Sequence, residues 1–253
     1  MKKLSILIGV LFMPLLINAQ EYKIAKNSGR LEIHLGKVSI EGHNGNEIIF
    51  STDDYKKSKD ERAEGLRAIS GLGLDDNTGL GINVSETGNS VVVQQLKRTS
   101  SPSIKILVPK DVIVAFEFKS QYGGTAKFSN MENEIEVSAQ YNNIEMVNVT
   151  GPMVVKSVYG HVEAQFNSTI KSPISIVSVY GYVDMTLPSA TKASIRMDSS
   201  YGEIFVSPEL KIDVSREGDM VRYSDRVQGK LNGGGDLQID LSSNYGKIYL
   251  RNK

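Results

Sequence analysis

One tetrad, Ser-x-Tyr-Gly, constrains this chain more than any other feature, because it returns at nearly regular intervals. It stands as Ser120-Gln121-Tyr122-Gly123, Ser157-Val158-Tyr159-Gly160, Ser178-Val179-Tyr180-Gly181, Ser199-Ser200-Tyr201-Gly202 and Ser243-Asn244-Tyr245-Gly246, with a looser copy at Ala139-Gln140-Tyr141-Asn142. Successive tyrosines lie 19, 18, 21, 21 and 44 residues apart. Self-similarity at a period of about 20 residues marks a repeat architecture. The last interval is about twice the others, which predicts one degenerate unit near Tyr223.

Apolar residues alternate after each tetrad: Ile144 and Met146; Val162, Ala164 and Phe166; Val183, Met185 and Leu187; Ile204 and Val206; Ile248 and Leu250. A period of two belongs to strands with one buried face. A second alternating stretch precedes the tetrad, as in Ile174 and Ile176, Ile195 and Met197, or Ile239 and Leu241. Two to three short strands per unit cannot bury an inner face alone, so neighbouring units must stack at about 4.8 Å per rung with backbone hydrogen bonds between them. The fold expected is therefore all-β: a single-stranded parallel β-helix or β-solenoid of about ten rungs. Right-handed winding is favoured, as parallel crossovers are. Glycine after tyrosine is expected to supply positive φ at a corner, a conformation that the asparagine of the loose copy tolerates. The serine is expected to bond a neighbouring backbone group.

The strands begin before the first tetrad. Leu31 to Leu35 and Val38 to Ile40 alternate and read as the first rungs, ending in the turn His43-Asn44-Gly45-Asn46. A charged and then glycine-rich stretch at about 53–80 interrupts them as an excursion, with a short helix expected around Asp60–Ile69. Ahead of all this, Lys2 and Lys3 precede an apolar run from Leu4 to Ile17 and then Asn18-Ala19-Gln20. That order reads as a signal peptide over 1–19, leaving 20–253 as one solenoid domain. The run is short of the roughly 20 residues a membrane span needs, and no later stretch is apolar enough to cross a bilayer. Export to the periplasm, the outer envelope or the medium is expected.

Composition narrows the chemistry. There is no cysteine, which excludes disulfides, thiolate metal sites, cysteine nucleophiles and lipoprotein acylation. Lys plus Arg equals Asp plus Glu at 29 each, so no basic footprint for nucleic acid exists.

The stretch Ile104-Lys105-Ile106-Leu107-Val108-Pro109-Lys110-Asp111-Val112-Ile113-Val114, followed by the glycine-marked repeats, resembles the bacterial putative-adhesin family with β-strand repeats, a family of unknown function found in exported proteins. The resemblance covers about Leu31 to Leu250. It implies a β-helical fold and an envelope location, and it brings no catalytic residues with it.

Two columns are candidate sites. Tyr122, Tyr141, Tyr159, Tyr180, Tyr201 and Tyr245 fall at one corner. Exposed rings in a line can stack on sugars or pack against a protein, although a purely structural corner ladder is the simpler reading. Glu145, Glu163 and Asp184 take one outward slot in successive coils, where neighbours lie about 5 Å apart. Carboxylates at that separation serve retaining glycosidases or calcium, but charged outer slots also deter edge-to-edge aggregation. His34, His43 and His161 lack metal-ligand spacing, no Gly-x-Ser-x-Gly elbow occurs, and Gly71 to Gly81 lacks the lysine of a phosphate loop. The expectation is a non-enzymatic exported binding protein without cofactor or metal, meeting a surface glycan or another exported protein. The alternatives are a polysaccharide-cleaving β-helix and a structural or envelope-stress accessory.

Overall fold

The computed structural model describes residues 21–52, 62, 65–66, 69–170, 172–215 and 225–253. The expected leader, most of the helix expected over Asp60–Ile69, and Tyr223 lie outside the described residues. The strands are β1 (Glu21–Ile24), β2 (Ser28–His34), β3 (Val38–His43), β4 (Ile48–Thr52), β5 (Ile82–Thr87), β6 (Ser90–Gln95), β7 (Ile104–Pro109), β8 (Asp111–Phe118), β9 (Thr125–Met131), β10 (Ile135–Ala139), β11 (Asn143–Val149), β12 (Met153–Ser157), β13 (Val162–Gln165), β14 (Ile174–Ser178), β15 (Val183–Leu187), β16 (Ala193–Ser199), β17 (Ile204–Val206), β18 (Ile212–Val214), β19 (Asp225–Leu231), β20 (Gln238–Ser243) and β21 (Ile248–Asn252).

They form two mixed sheets of ten and eleven strands. Each turn of the chain contributes one strand to the eleven-stranded sheet, bends, and contributes the next strand to the ten-stranded sheet. The alternation sends every second side chain into one shared core. Register makes that core columnar. Val91, Leu31, Val114, Ile135, Met153, Ile174, Ile239 and Ile195 stand in line through the eleven-stranded sheet, each almost fully buried. Opposite them, Ile104, Val38, Ala126, Ile144, Val162, Val183, Ile248 and Ile204 line up through the other sheet. Burying an aliphatic side chain of this size contributes about 1.5–3 kcal/mol. A one-residue slip of register would turn a whole column outward.

Among the described residues, eight such turns stack in parallel, but not in chain order. The order is β6–β7, β2–β3, β8–β9, β10–β11, β12–β13, β14–β15, β20–β21, β16–β17. The first and the last of these turns in the sequence are thus wedged one place inside the stack. β2–β3 lies between β6–β7 and β8–β9, and β20–β21 lies between β14–β15 and β16–β17. Antiparallel strands close the ends: β4 and β1 beyond β7, β5 beyond β6, and β19 and β18 beyond β16. Among the described residues, the long interval from Tyr201 to Tyr245 holds no parallel turn of its own. It holds a detour through β18 and β19, after which the chain returns beneath β16. The expectation that repeats stack in sequence order is corrected accordingly.

The tyrosine corner explains the tetrad, with one change of cause. A Cβ placed on Gly160 would lie 1.9 Å from the carbonyl oxygen of Asn142 in the turn below; on Gly181, 2.3 Å from that of Gly160; on Gly246, 2.1 Å from that of Gly181; on Gly202, 1.9 Å from that of Gly246. None of these four glycines has positive φ. Close approach of backbone to backbone, rather than left-handed conformation, demands glycine here. The serines are fully buried and run as a ladder. Ser157 Oγ donates to Asn142 O at 3.0 Å, Ser178 to Gly160 O at 2.9 Å, Ser243 to Gly181 O at 2.8 Å and Ser199 to Gly246 O at 3.2 Å. Three of them also accept from the amide of their own tetrad glycine. Each corner is thereby bonded to the one beneath it.

Candidate functional site

The corner that buries serine and packs glycine against the neighbouring backbone leaves tyrosine outside. Tyr141, Tyr159, Tyr180, Tyr245 and Tyr201 form one continuous stack, with ring centroids 4.8, 5.0, 4.9 and 5.0 Å apart and planes within 16° of parallel. The spacing is that of the strands themselves. Between 41% and 65% of each residue remains exposed, so the ladder is a ridge about 20 Å long. Its flanking tetrad residues, Gln140, Val158, Val179, Asn244 and Ser200, carry no charge. Because the inner rings cover one another's faces, what they present outward is ring edges and phenolic hydroxyls.

Tyr122, the sixth tyrosine of the predicted column, does not join it. Its corner spans residues 119–124, against 158–161 and 179–182 in regular copies, and Gly124 is tied instead to Gly36 O. Asn142 ends the ladder on that side. Its buried amide reaches past the longer corner and donates to Gly36 O at 2.8 Å and Gly124 O at 3.1 Å.

Glu145, Glu163 and Asp184 are brought into one column, in register on β11, β13 and β15. Each is engaged by a different neighbour. Lys127 Nζ lies 2.7 Å from Glu145, the Tyr182 hydroxyl donates to Glu163, and Arg251 binds both oxygens of Asp184 at 2.8 to 3.1 Å. Beyond Asp184 the slot becomes aromatic, with Tyr249 and then Phe205 stacked at 5.5 Å. Such a column is a series of outer-face pairs, each contributing about 1 kcal/mol or less.

The same face carries a second, shorter ring stack that sequence reasoning missed. His161 lies on Tyr182, 4.5 Å between centroids, because both follow a tetrad glycine by one residue. Burial against the sheet, and then the Glu163 carboxylate, push the Tyr182 phenol up to about 12. An unfolded tyrosine titrates near 10, so the folded chain holds this proton more tightly. Its contribution to stability is complete below pH 10 and is lost as pH rises through 12. A Tyr182→Phe variant should accordingly lose less stability between pH 10 and 12 than the wild type in alkaline chemical-denaturation series.

The other two histidines stand apart. His34 Nδ1 lies 3.2 Å from Glu117 O on the outer face of the eleven-stranded sheet. His43 closes its own turn, accepting from Gly45 N at Nδ1 and donating from Nε2 to Glu47 O. His34 borders a shallow groove of about 670 Å³ over Ala115, lined also by Arg30, Glu32, Glu117, Glu134 and Glu136. Arg30 bridges the groove to both oxygens of Glu136, and that bond holds the Glu136 carboxyl below the usual range. Lys119 does the same for Glu117. Among the described residues no three His, Asp or Glu side chains converge as a metal site would need.

A family model described as Toastrack DUF4097 matches residues 17–251. Among solved structures the chain is similar to a putative cell adhesion protein from Clostridium sporogenes, at 12% identity and a TM-score of 0.44, over 93% of this chain and 100% of that one. It is also similar to a putative adhesin from Bacteroides fragilis, at 12% identity and a TM-score of 0.38, over 92% and 96%. No curated protein matches it. The match to the family model runs over nearly the whole chain, as the resemblance at Ile104–Val114 and the glycine repeats implied, and the protein belongs to the Toastrack DUF4097 family.

Proposed function

We propose that this protein is an exported, non-enzymatic binding protein of the cell envelope or the medium, and that its tyrosine ridge is the contact surface. The observation that carries the reading is the ladder itself: five exposed rings in register, flanked within the tetrads by uncharged residues and held by buried serines and close-packed glycines. Contiguous exposed aromatic surface marks interaction sites, and tyrosine is a preferred anchor at protein interfaces. Ring edges and hydroxyls suit a protein partner better than a sugar, which would need open ring faces to stack on. The engaged state of Glu145, Glu163 and Asp184 supports the non-enzymatic reading over polysaccharide cleavage, since each carboxylate is already bound by Lys127, Tyr182 or Arg251. The residues at 2–20, positive and then apolar, support export. We read the winding as a right-handed solenoid of about ten layers, in keeping with the handedness of parallel crossovers.

The test is binding of the mature chain to isolated cell envelopes, compared with a Tyr159→Ala, Tyr180→Ala, Tyr245→Ala triple variant whose folding is checked by circular dichroism. Binding should fall at least tenfold in the folded variant. Unchanged binding would remove the ridge from consideration.

A further inference from the structure

The gap between the β14–β15 and β16–β17 turns is filled by the last strand pair of the chain, and the filling is complete on both walls. Ile174 pairs with Ile239 and Ile239 with Ile195; Ser178 pairs with Ser243 and Ser243 with Ser199. On the other sheet Val183 pairs with Ile248 and Ile248 with Ile204. Ile239, Leu241, Ile248 and Leu250 are buried there. We propose that this gap is an exchange site, which accepts the β20–β21 pair of a second copy and so allows two copies to pair by reciprocal insertion.

Three observations carry this. First, the strand pairings that seat the pair are made to β14, β15, β16 and β17, from which it is separated by loops, so an identical pair from another copy would make the same pairings. Such exchange is a low-cost route to a dimer. Second, with no cysteine in the chain, the covalent tether to the preceding strand is the loop 232–237 alone. That loop has the composition of a hinge. Asn232, Gly233 and Gly234 have φ of 51°, 85° and 85°, and a Cβ on Gly233 would meet nothing within 4 Å. Third, the loop has slack. β19 and β20 flank β16 on opposite sides, a span of two strand spacings or about 10 Å, whereas six residues reach about 20 Å when extended. The pair can leave while β19 stays on β16 and keeps that wall in place.

A released pair cannot remain in water with four aliphatic side chains exposed, and the surface that fits it is the same gap in another copy. The short tether gives the chain's own pair an effective concentration of about a millimolar. The monomer therefore dominates in dilute solution, and exchange grows with concentration or when the loop cannot cross β16.

Ser175 and Asp240 are paired across the gap, where in-register parallel strands put Cα atoms about 4.8 Å apart, within disulfide range. Ser175→Cys and Asp240→Cys single variants carrying different affinity tags would be unfolded together, refolded at about 1 mM and oxidised. A disulfide-linked dimer holding both tags is expected, and deletion of residues 233–236 from both chains should raise its yield severalfold. The double variant Ser175→Cys/Asp240→Cys in one chain is the control and should close its disulfide within the monomer when refolded dilute. Closure in that control without any mixed-tag dimer would overturn exchange. Failure of the control itself would overturn the strand order on which exchange depends.

Discussion

Replacing Gly160 by alanine is expected to destabilise the protein by about 3 kcal/mol or more, far beyond what one added methyl group usually costs on a surface. The new Cβ would sit 1.9 Å from the carbonyl oxygen of Asn142. That oxygen belongs to the backbone of the turn below and already accepts from Ser157 Oγ. Relief requires the two turns to separate, which would also stretch the stack of Tyr141 on Tyr159 and the ladder bonds on either side. Gly71→Ala is the matching control. A Cβ there meets nothing within 4 Å and its φ is not positive, so its stability should change by less than about 0.5 kcal/mol. Urea denaturation of both variants measures the difference. Equal, small effects would mean that the turns are not packed this closely.

The second large effect concerns the end of the chain. In a solenoid whose turns follow one another in order, removing the last turn shortens the stack and leaves the rest nearly intact, because each repeat touches only its neighbours. Here the last turn is interior. Deleting residues 236–253 removes one of the two neighbours of β14–β15 and the parallel neighbour of β16–β17. It takes away Ile239, Leu241, Ile248 and Leu250, whose burial contributes on the order of 6 kcal/mol or more together. The whole margin of a typical domain is about 5–15 kcal/mol. The truncated chain should lose its cooperative unfolding transition or show a midpoint lowered by a large fraction. An unchanged midpoint would mean that β16–β17 has closed directly onto β14–β15 and that the inserted pair is dispensable.

Much of this fold was legible because its signals are local and periodic. The alternation at Val162, Ala164 and Phe166 or at Ile195 and Met197 names the inward face without further information. The tetrad names the corner. Stacking order was not legible, and the reason is physical. All turns share one width and one register, so β20–β21 suits the place beside β14–β15 as well as β16–β17 does. Which pair takes it depends on long-range closure through β18 and β19, and no local pattern records that. The glycine was found for a partly mistaken reason. Sequence reports that a side chain is excluded but not whether φ or a neighbouring carbonyl excludes it.

The candidate site divides the same way. Spacing located five of the six column tyrosines correctly, and Tyr122 fell out because its corner is longer than the others. The carboxylate slot was readable from its offset after each tetrad, whereas its occupation by Lys127, Tyr182 and Arg251 was not, since all three partners come from other turns. Lys127 sits directly beneath Glu145 through β9, and Arg251 lies one turn above Asp184, opposite Thr186 on β21. The His161 and Tyr182 stack had a usable signal, an aromatic ring one residue after the tetrad glycine in two adjacent turns.

The arrangement rests on the C-terminal pair lying between two turns that are consecutive in the sequence, and one engineered cross-link tests that directly. Val177 is paired with Ser242, and Ser242 with Asp198. Val177 and Asp198 are therefore two rungs apart, near 10 Å, which is outside disulfide reach. On oxidation of dilute protein, Val177→Cys/Ser242→Cys should close a disulfide within one chain while Val177→Cys/Asp198→Cys stays reduced. Closure of the second pair and not the first would place the repeats in simple chain order and contradict the inserted strand pair.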